Sequence, residues 1–221
     1  MAFDRLALYN AALLLCGERF LASLTEEREP KRLLDQVWST NGINAVLEQA
    51  QWHFAMRTAR IEVDPAFPVP DFGYQNAFSK PDDWIRTSAV CSDEFYRVPL
   101  LEYADEMGYW FANIEPLYVK FVSNGAQYGS DLSLWPASFC DYAGAYFASR
   151  IISKLSGDKA SQHQALFGQN GKGGILDRTL SLAKSKAAMT QPTQFPAQGS
   201  WTSSRRGGRP SDRGNRGQLI G

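Results

Sequence analysis

The hexapeptide Ala59-Arg60-Ile61-Glu62-Val63-Asp64 decides how the chain folds, because apolar and charged residues alternate through it with a period of two. That rhythm belongs to a half-buried strand. The residues before it repeat at helical spacing instead. Leu6, Tyr9, Asn10 and Leu13 form one stripe, and Gly17 stands where a left-handed C-cap would end that helix. Leu33, Leu34, Val37 and Trp38 form a second stripe, and Ile43, Val46, Leu47, Ala50 and Phe54 a third. Thr25 is the expected N-cap of the second helix, with Glu26 and Glu27 at the positive end of its dipole and Pro30 near its first turn. Val37 and Ile43 are six residues apart, about 600° of helical rotation, which leaves the second and third stripes out of phase. A kink at Ser39-Thr40-Asn41-Gly42 is therefore expected.

Beyond the alternating stretch, Pro65, Pro68 and Pro70 end the strand. Further strands are expected at residues 85–91, 95–103, 109–112 and 117–123, separated by turns at 92–94, 105–108 and 113–116. Pro136 then opens a long helical stripe, Phe139, Tyr142, Ala143, Tyr146, Phe147 and Ile151, with Gly157 as its stop. Gly168, Gly171, Gly173 and Gly174 interrupt the last helical stretch, which predicts two helical pieces around a glycine loop. The expected class is α+β: a helical bundle scaffold interrupted by a small antiparallel β sheet or barrel, with an extended C-terminal arm. Its parts are residues 1–57 and 131–190 for the scaffold, 58–130 for the inserted β region and 191–221 for a flexible basic arm.

Composition agrees with a packed core, since 44% of the 221 residues are hydrophobic and 21% charged, a profile that excludes wholesale disorder and collagen-like repetition. Cys16, Cys91 and Cys140 lie far apart with no paired spacing, so neither a disulfide framework nor a zinc module is encoded, and a reducing compartment is expected. The longest apolar run, residues 11–16, is far below the roughly 18 residues of a membrane span. A soluble chain without a membrane anchor, made in the cytoplasm, is expected. The net charge of zero hides an asymmetry, with a net −4 over residues 1–190 and +4 over residues 191–221. Glycine and proline outnumber apolar residues in that last segment, which predicts an arm that gains order only on an acidic partner, a nucleic acid or a neighbouring copy.

Several motifs suggest chemistry and fall short of it. Residues 168–173 hold glycines around Lys172, but two residues rather than four separate the first glycines, and Gly173 rather than a hydroxyl follows the lysine. A phosphate loop needs both features. Ser181 and Lys184 have the spacing of an acyl-transfer nucleophile pair, yet both residue types are frequent enough to produce that match by chance. His53 and His163 are too isolated for a histidine metal site, and His53 between Trp52 and Phe54 suits an interfacial ring. The acidic pairs Asp82-Asp83, Asp93-Glu94 and Asp105-Glu106 could supply two carboxylates to a hydrolase of cell-wall or capsular polysaccharide. Adjacent acids in turns are more commonly solvated. The aromatics Trp84, Tyr96, Tyr103, Tyr109, Trp110, Tyr118 and Tyr128 suit a core or a subunit interface.

Leu8-Tyr9-Asn10-Ala11-Ala12-Leu13, then Gly17, Leu21, Ser23 and Leu24, then Leu33-Leu34-Asp35 and Trp52-His53-Phe54-Ala55 resemble the opening of the tail tubular protein A family. These are the head-to-tail adaptors of short-tailed bacteriophages. The resemblance continues through Lys80-Pro81-Asp82-Asp83-Trp84-Ile85-Arg86, Tyr118-Val119-Lys120-Phe121-Val122 and Trp135-Pro136-Ala137-Ser138-Phe139, and covers residues 3–190. Its strength lies in the ordered combination, and His53 stands where the family commonly has Asn. The resemblance implies a virion structural protein at the head-tail interface, without catalytic residues, cofactor or metal. It implies a dodecameric homo-oligomeric ring beneath the portal protein that extends the channel for genomic DNA and carries a tail nozzle protein similar to tail tubular protein B. In the arm, Trp201, Leu219 and Ile220 would be apolar anchors on the portal, and Arg205, Arg206 and Arg209 would pair with acidic or backbone acceptors. The competing expectations are a tail-associated hydrolase centred on Asp93 and Glu94, and a DNA-binding module that uses the arginines of the arm.

Overall fold

A computed structural model describes residues 3–68, 73–155, 157 and 159–190. The fold is α+β, with helices α1 (Arg5–Cys16), α2 (Glu29–Val37), α3 (Ile43–Glu48), α4 (Ala137–Ile151), α5 (Ala160–Phe167) and α6 (Ile175–Met189). Six strands lie between α3 and α4: β1 (Met56–Ile61), β2 (Asn76–Ser79), β3 (Trp84–Cys91), β4 (Ala104–Glu106), β5 (Tyr109–Ala112) and β6 (Leu117–Ser123). A two-residue hairpin, β7 (Gly168–Gln169) with β8 (Lys172–Gly173), joins α5 to α6.

The first two helices end for local reasons. Asp4 caps α1 by accepting the Ala7 N–H at 2.7 Å. Gly17 closes it at φ 66°, in the left-handed region, with its own N–H on the carbonyls of Leu13 and Leu14. The expected kink is present: Thr40 and Asn41 leave helical geometry, Asn41 at φ 72°, and the chain resumes as α3 in a new phase. The second helix starts later than the sequence predicts. Thr25 bonds with Ser23 through both hydroxyls at 2.7 Å, a local turn that uses up its capping oxygen, and α2 begins at Glu29 with Pro30 in its first turn. The helices bury one core, in which α1 crosses α4 at Gly144. A Cβ added there would stand 3.0 Å from that of Ala11, so the two backbones meet at the smallest residues of both helices.

The strands form two three-stranded antiparallel sheets, β1-β6-β3 and β2-β5-β4. Alternation along β6 sends Leu117, Val119 and Phe121 into a second core with Val90, and Phe78, Trp110 and Ala112 from the other sheet complete it. At the opposite end of the first sheet Met56, Ile85 and Val122 belong to the helical core, so the sheet stands on the bundle by that end. The strand expected at residues 95–103 is not formed. Asp93 takes the backbone N–H groups of Arg97 and Val98, Tyr96 turns at φ 56°, and only a Cys91–Pro99 bridge remains of a ladder. The edge strand is instead β4, which runs into the expected turn at 105–108, and β2 is one that sequence alternation does not reveal. Strand β1 starts at Met56 and stops at Ile61, short of Val63.

One hydroxyl ties the two sheets together. Thr87 Oγ1 accepts the indole N–H groups of Trp84 and Trp110, each at 3.1 Å, and donates to Asp105 Oδ2 at 3.0 Å. A hydroxyl has two acceptor sites and one proton, so its capacity is filled. Lys80 also pairs with Asp105, and its ammonium lies 3.7 Å from the centroid of the Trp84 ring. The isosteric change Thr87→Val keeps the shape and strands the N–H of Trp110, which is fully buried. It is expected to cost about 1–3 kcal/mol in urea unfolding. A Thr87→Ser variant keeps the hydroxyl and should recover most of that loss.

Candidate functional site

Of the residues expected to carry function, Trp201, Arg205, Arg206, Arg209, Leu219 and Ile220 all lie outside the described residues. The other candidates can be placed. Each acidic pair commits one member to structure. Asp83 accepts from Arg57 at 2.6 Å and from the Ser123 hydroxyl, which locks β1, β6 and the turn before β3 into one unit. Burial disfavours its charge, but the hydrogen bonds from Ser123 and Arg57 and the Arg57 charge outweigh that effect and hold Asp83 below the usual carboxylate range. Asp93 is likewise held low, first by the Val98 N–H and also by that of Arg97. Asp105 is occupied by Lys80 and Thr87. A glycosidase acid needs a carboxyl that retains its proton, and the shifts of Asp83 and Asp93 run the other way.

The remaining polar candidates are structural too. His53 Nε2 lies 2.8 Å from the Ala187 carbonyl, fastening the start of the β region to the last turn of α6. The His163 ring rests against Phe167 at 4.5 Å. Ser181 and Lys184 are both exposed on α6. In the glycine loop, Asp177 accepts the Gly173 N–H at 3.0 Å, so a carboxylate holds the start of α6, where a phosphate loop would present its donors. The thiols of Cys16 and Cys140 are pushed up to about 11 by burial, which leaves them protonated at neutral pH. Among the described residues no group of three His, Cys, Asp or Glu side chains could hold a metal. No helix among them is long and apolar enough to cross a membrane.

What the described surface offers is contact area. A groove of about 460 Å³ runs between Trp52, Phe54, Phe139 and the Ala183–Ala187 face of α6, almost wholly apolar. A second, of about 300 Å³, opens at the kink between α2 and α3. Leu33, Val37 and Ile151 line it together with Arg150 and Lys154, and the lining holds no acidic residue. Neither groove is foreseen in the sequence, because the walls of each come from segments far apart along the chain. The chain matches no family model, and no curated protein matches it.

The Asp83 network yields a pH test. Because its folded-state pKa is depressed, its stabilisation is complete above the unfolded value of about 3.9 and disappears as pH falls through the folded value. Asp83→Asn should therefore lower the urea midpoint at pH 7, and the difference from wild type should shrink steadily as the buffer is taken below pH 4. A constant difference across that range would mean that the carboxylate contributes shape rather than charge.

Proposed function

We propose that the chain is a virion structural protein, a head-to-tail adaptor that forms a ring beneath the portal, extends the DNA channel and carries the tail nozzle. It would be made in the host cytoplasm and end in the virion tail. The observation that carries this reading is where the resemblance residues lie. Leu8, Tyr9, Ala12, Leu13, Leu34, Trp52 and Ala55 are buried in the helical core with Trp135 and Phe139, while Val119 and Phe121 are buried in the sheet core. The resemblance therefore rests on residues that build a scaffold, and none of them is set out for chemistry.

The surface supports a role in assembly as well. Leu14 lies within the apolar run of α1 yet is 63% exposed, and Phe20 beyond the helix is 53% exposed. A single copy leaves both in water, and apolar side chains exposed on a rigid helical face favour contact with other chains. The arm supplies the portal contact in this proposal, through Trp201 and the arginines Arg205, Arg206 and Arg209.

Cryo-electron microscopy of the protein mixed with its cognate portal ring tests the proposal. A collar of twelve added copies is expected, lost when residues 191–221 are deleted. A portal that gains no density, or turnover of capsular polysaccharide that depends on Glu94, would remove the adaptor reading.

A further inference from the structure

Beyond β3 the chain forms a finger, residues 92–101, whose backbone is fixed while its apolar side chains face water. Asp93 accepts from Arg97 and Val98, the Ser92 N–H donates to the Val98 carbonyl at 3.1 Å, and Leu100 donates to Val90 at 2.9 Å. Tyr96 anchors the finger from below, its hydroxyl donating to the Val119 carbonyl at 3.0 Å. Above these bonds Phe95 is 67% exposed, Val98 56% and Leu101 87%. A loop ordered by its own hydrogen bonds loses little further entropy when it docks, so the exposed side chains act as a preformed contact. With Asp93 and Glu94 against Arg97, the finger carries a net −1.

The bundle carries a receptor of the opposite sign. The groove at the α2–α3 kink is lined by the apolar Leu33, Val37 and Ile151 and by the bases Arg150, near the end of α4, and Lys154, just beyond it. Neither base has an ion-pair partner among the described residues. The groove forms because Asn41 breaks the helix, so it is a fixed feature of the backbone.

We infer that the finger of one copy docks in the α2–α3 groove of a second copy, with Phe95 against the apolar lining and Glu94 against Arg150 and Lys154. A chain's own finger cannot serve. The first sheet meets the bundle at Met56, Ile85 and Val122, and the finger leaves the other end of β3; a strand of eight residues spans roughly 26 Å. Knob and socket on different faces of one chain make a head-to-tail contact, and repetition of such a contact closes a ring when the rotation allows. The inference deepens the adaptor reading by naming the lateral contact, and it rests on that reading for the closure of the ring.

Sedimentation equilibrium of the full chain tests it. Wild type should associate with rising concentration, and Phe95→Ala should weaken that association at least tenfold. Glu94→Arg and the double variant Arg150→Glu/Lys154→Glu should each weaken it as far, whereas an equimolar mixture of these two charge-reversed proteins should recover it. All the altered side chains are exposed, and circular dichroism identical to wild type will show that each variant is folded. A wild type that stays monomeric to about 0.3 mM, variants that associate as wild type does, or a mixture no better than its parts would overturn the inference. Association that follows the expected pattern while the portal gains no collar removes the adaptor reading and leaves this contact standing.

Discussion

An insertion of some seventy residues between two helices can fold only if its ends are held side by side, and a clasp of aromatic rings meets that requirement. Trp52 and Phe54 stand just before the first strand, Trp135 and Phe139 just after the last turn of the β region. Their rings meet around Phe139, at 4.7 Å from Trp52, 4.8 Å from Phe54 and 4.7 Å from Trp135. The two indoles are fixed by hydrogen bonds as well, Trp52 to the Val46 carbonyl and Trp135 to that of Gly129. With the ends clasped, β1 and β6 pair from Met56↔Val122 to Ile61↔Leu117, so the first and last strands of the insertion are neighbours. Loop-closure entropy for a long excursion is then opposed twice, by aromatic burial and by an antiparallel ladder.

The clasp also explains why the polar groups of the β region are so fully engaged. A sheet standing on a bundle by one end has little apolar area at that junction, and its register must be set by something directional. Arg57, Asp83 and Ser123 set it across β1, the turn before β3, and β6. Thr87 sets the spacing of the two sheets through a pair of indoles. These interactions consume the carboxylates that would otherwise look catalytic, and the lowered pKa of Asp83 is the electrostatic mark of that use.

Legibility in the sequence follows the range of the forces involved. The α1 stop at Gly17, the kink at Asn41, the glycine hairpin before α6 and strands β3, β5 and β6 are set by residues within a few positions of themselves, and the sequence predicts them. Residues 95–103 have strand-like composition, but a single carboxylate, Asp93, captures two backbone donors and turns the chain away from the ladder. Strand β2 exists because Asn76–Ser79 lies against β5, some thirty residues later, and no local pattern encodes that pairing. The candidate sites divide the same way. The histidines and acidic pairs were visible as residue types, whereas their partners, Ala187, Ser123 and Thr87, come from distant elements and decide that their roles are structural. The two grooves were invisible for the same reason, since each is lined by helices far apart in sequence.

Among the described residues the buried side-chain polar groups are satisfied internally, yet Leu14, Phe95 and Leu101 stay in water, so the free energy left to gain lies in apolar surface rather than in unpaired polar groups. Catalysis draws on the second kind of reserve, because a reacting site must hold donors and acceptors that are matched only in the transition state. Assembly draws on the first, because association gains from surface that a rigid scaffold keeps out of its own core. Among the described residues the rigid frame, the locally ordered finger and the helix-break groove all belong to that economy. This is the physical ground on which the proposal of an assembling structural protein rests.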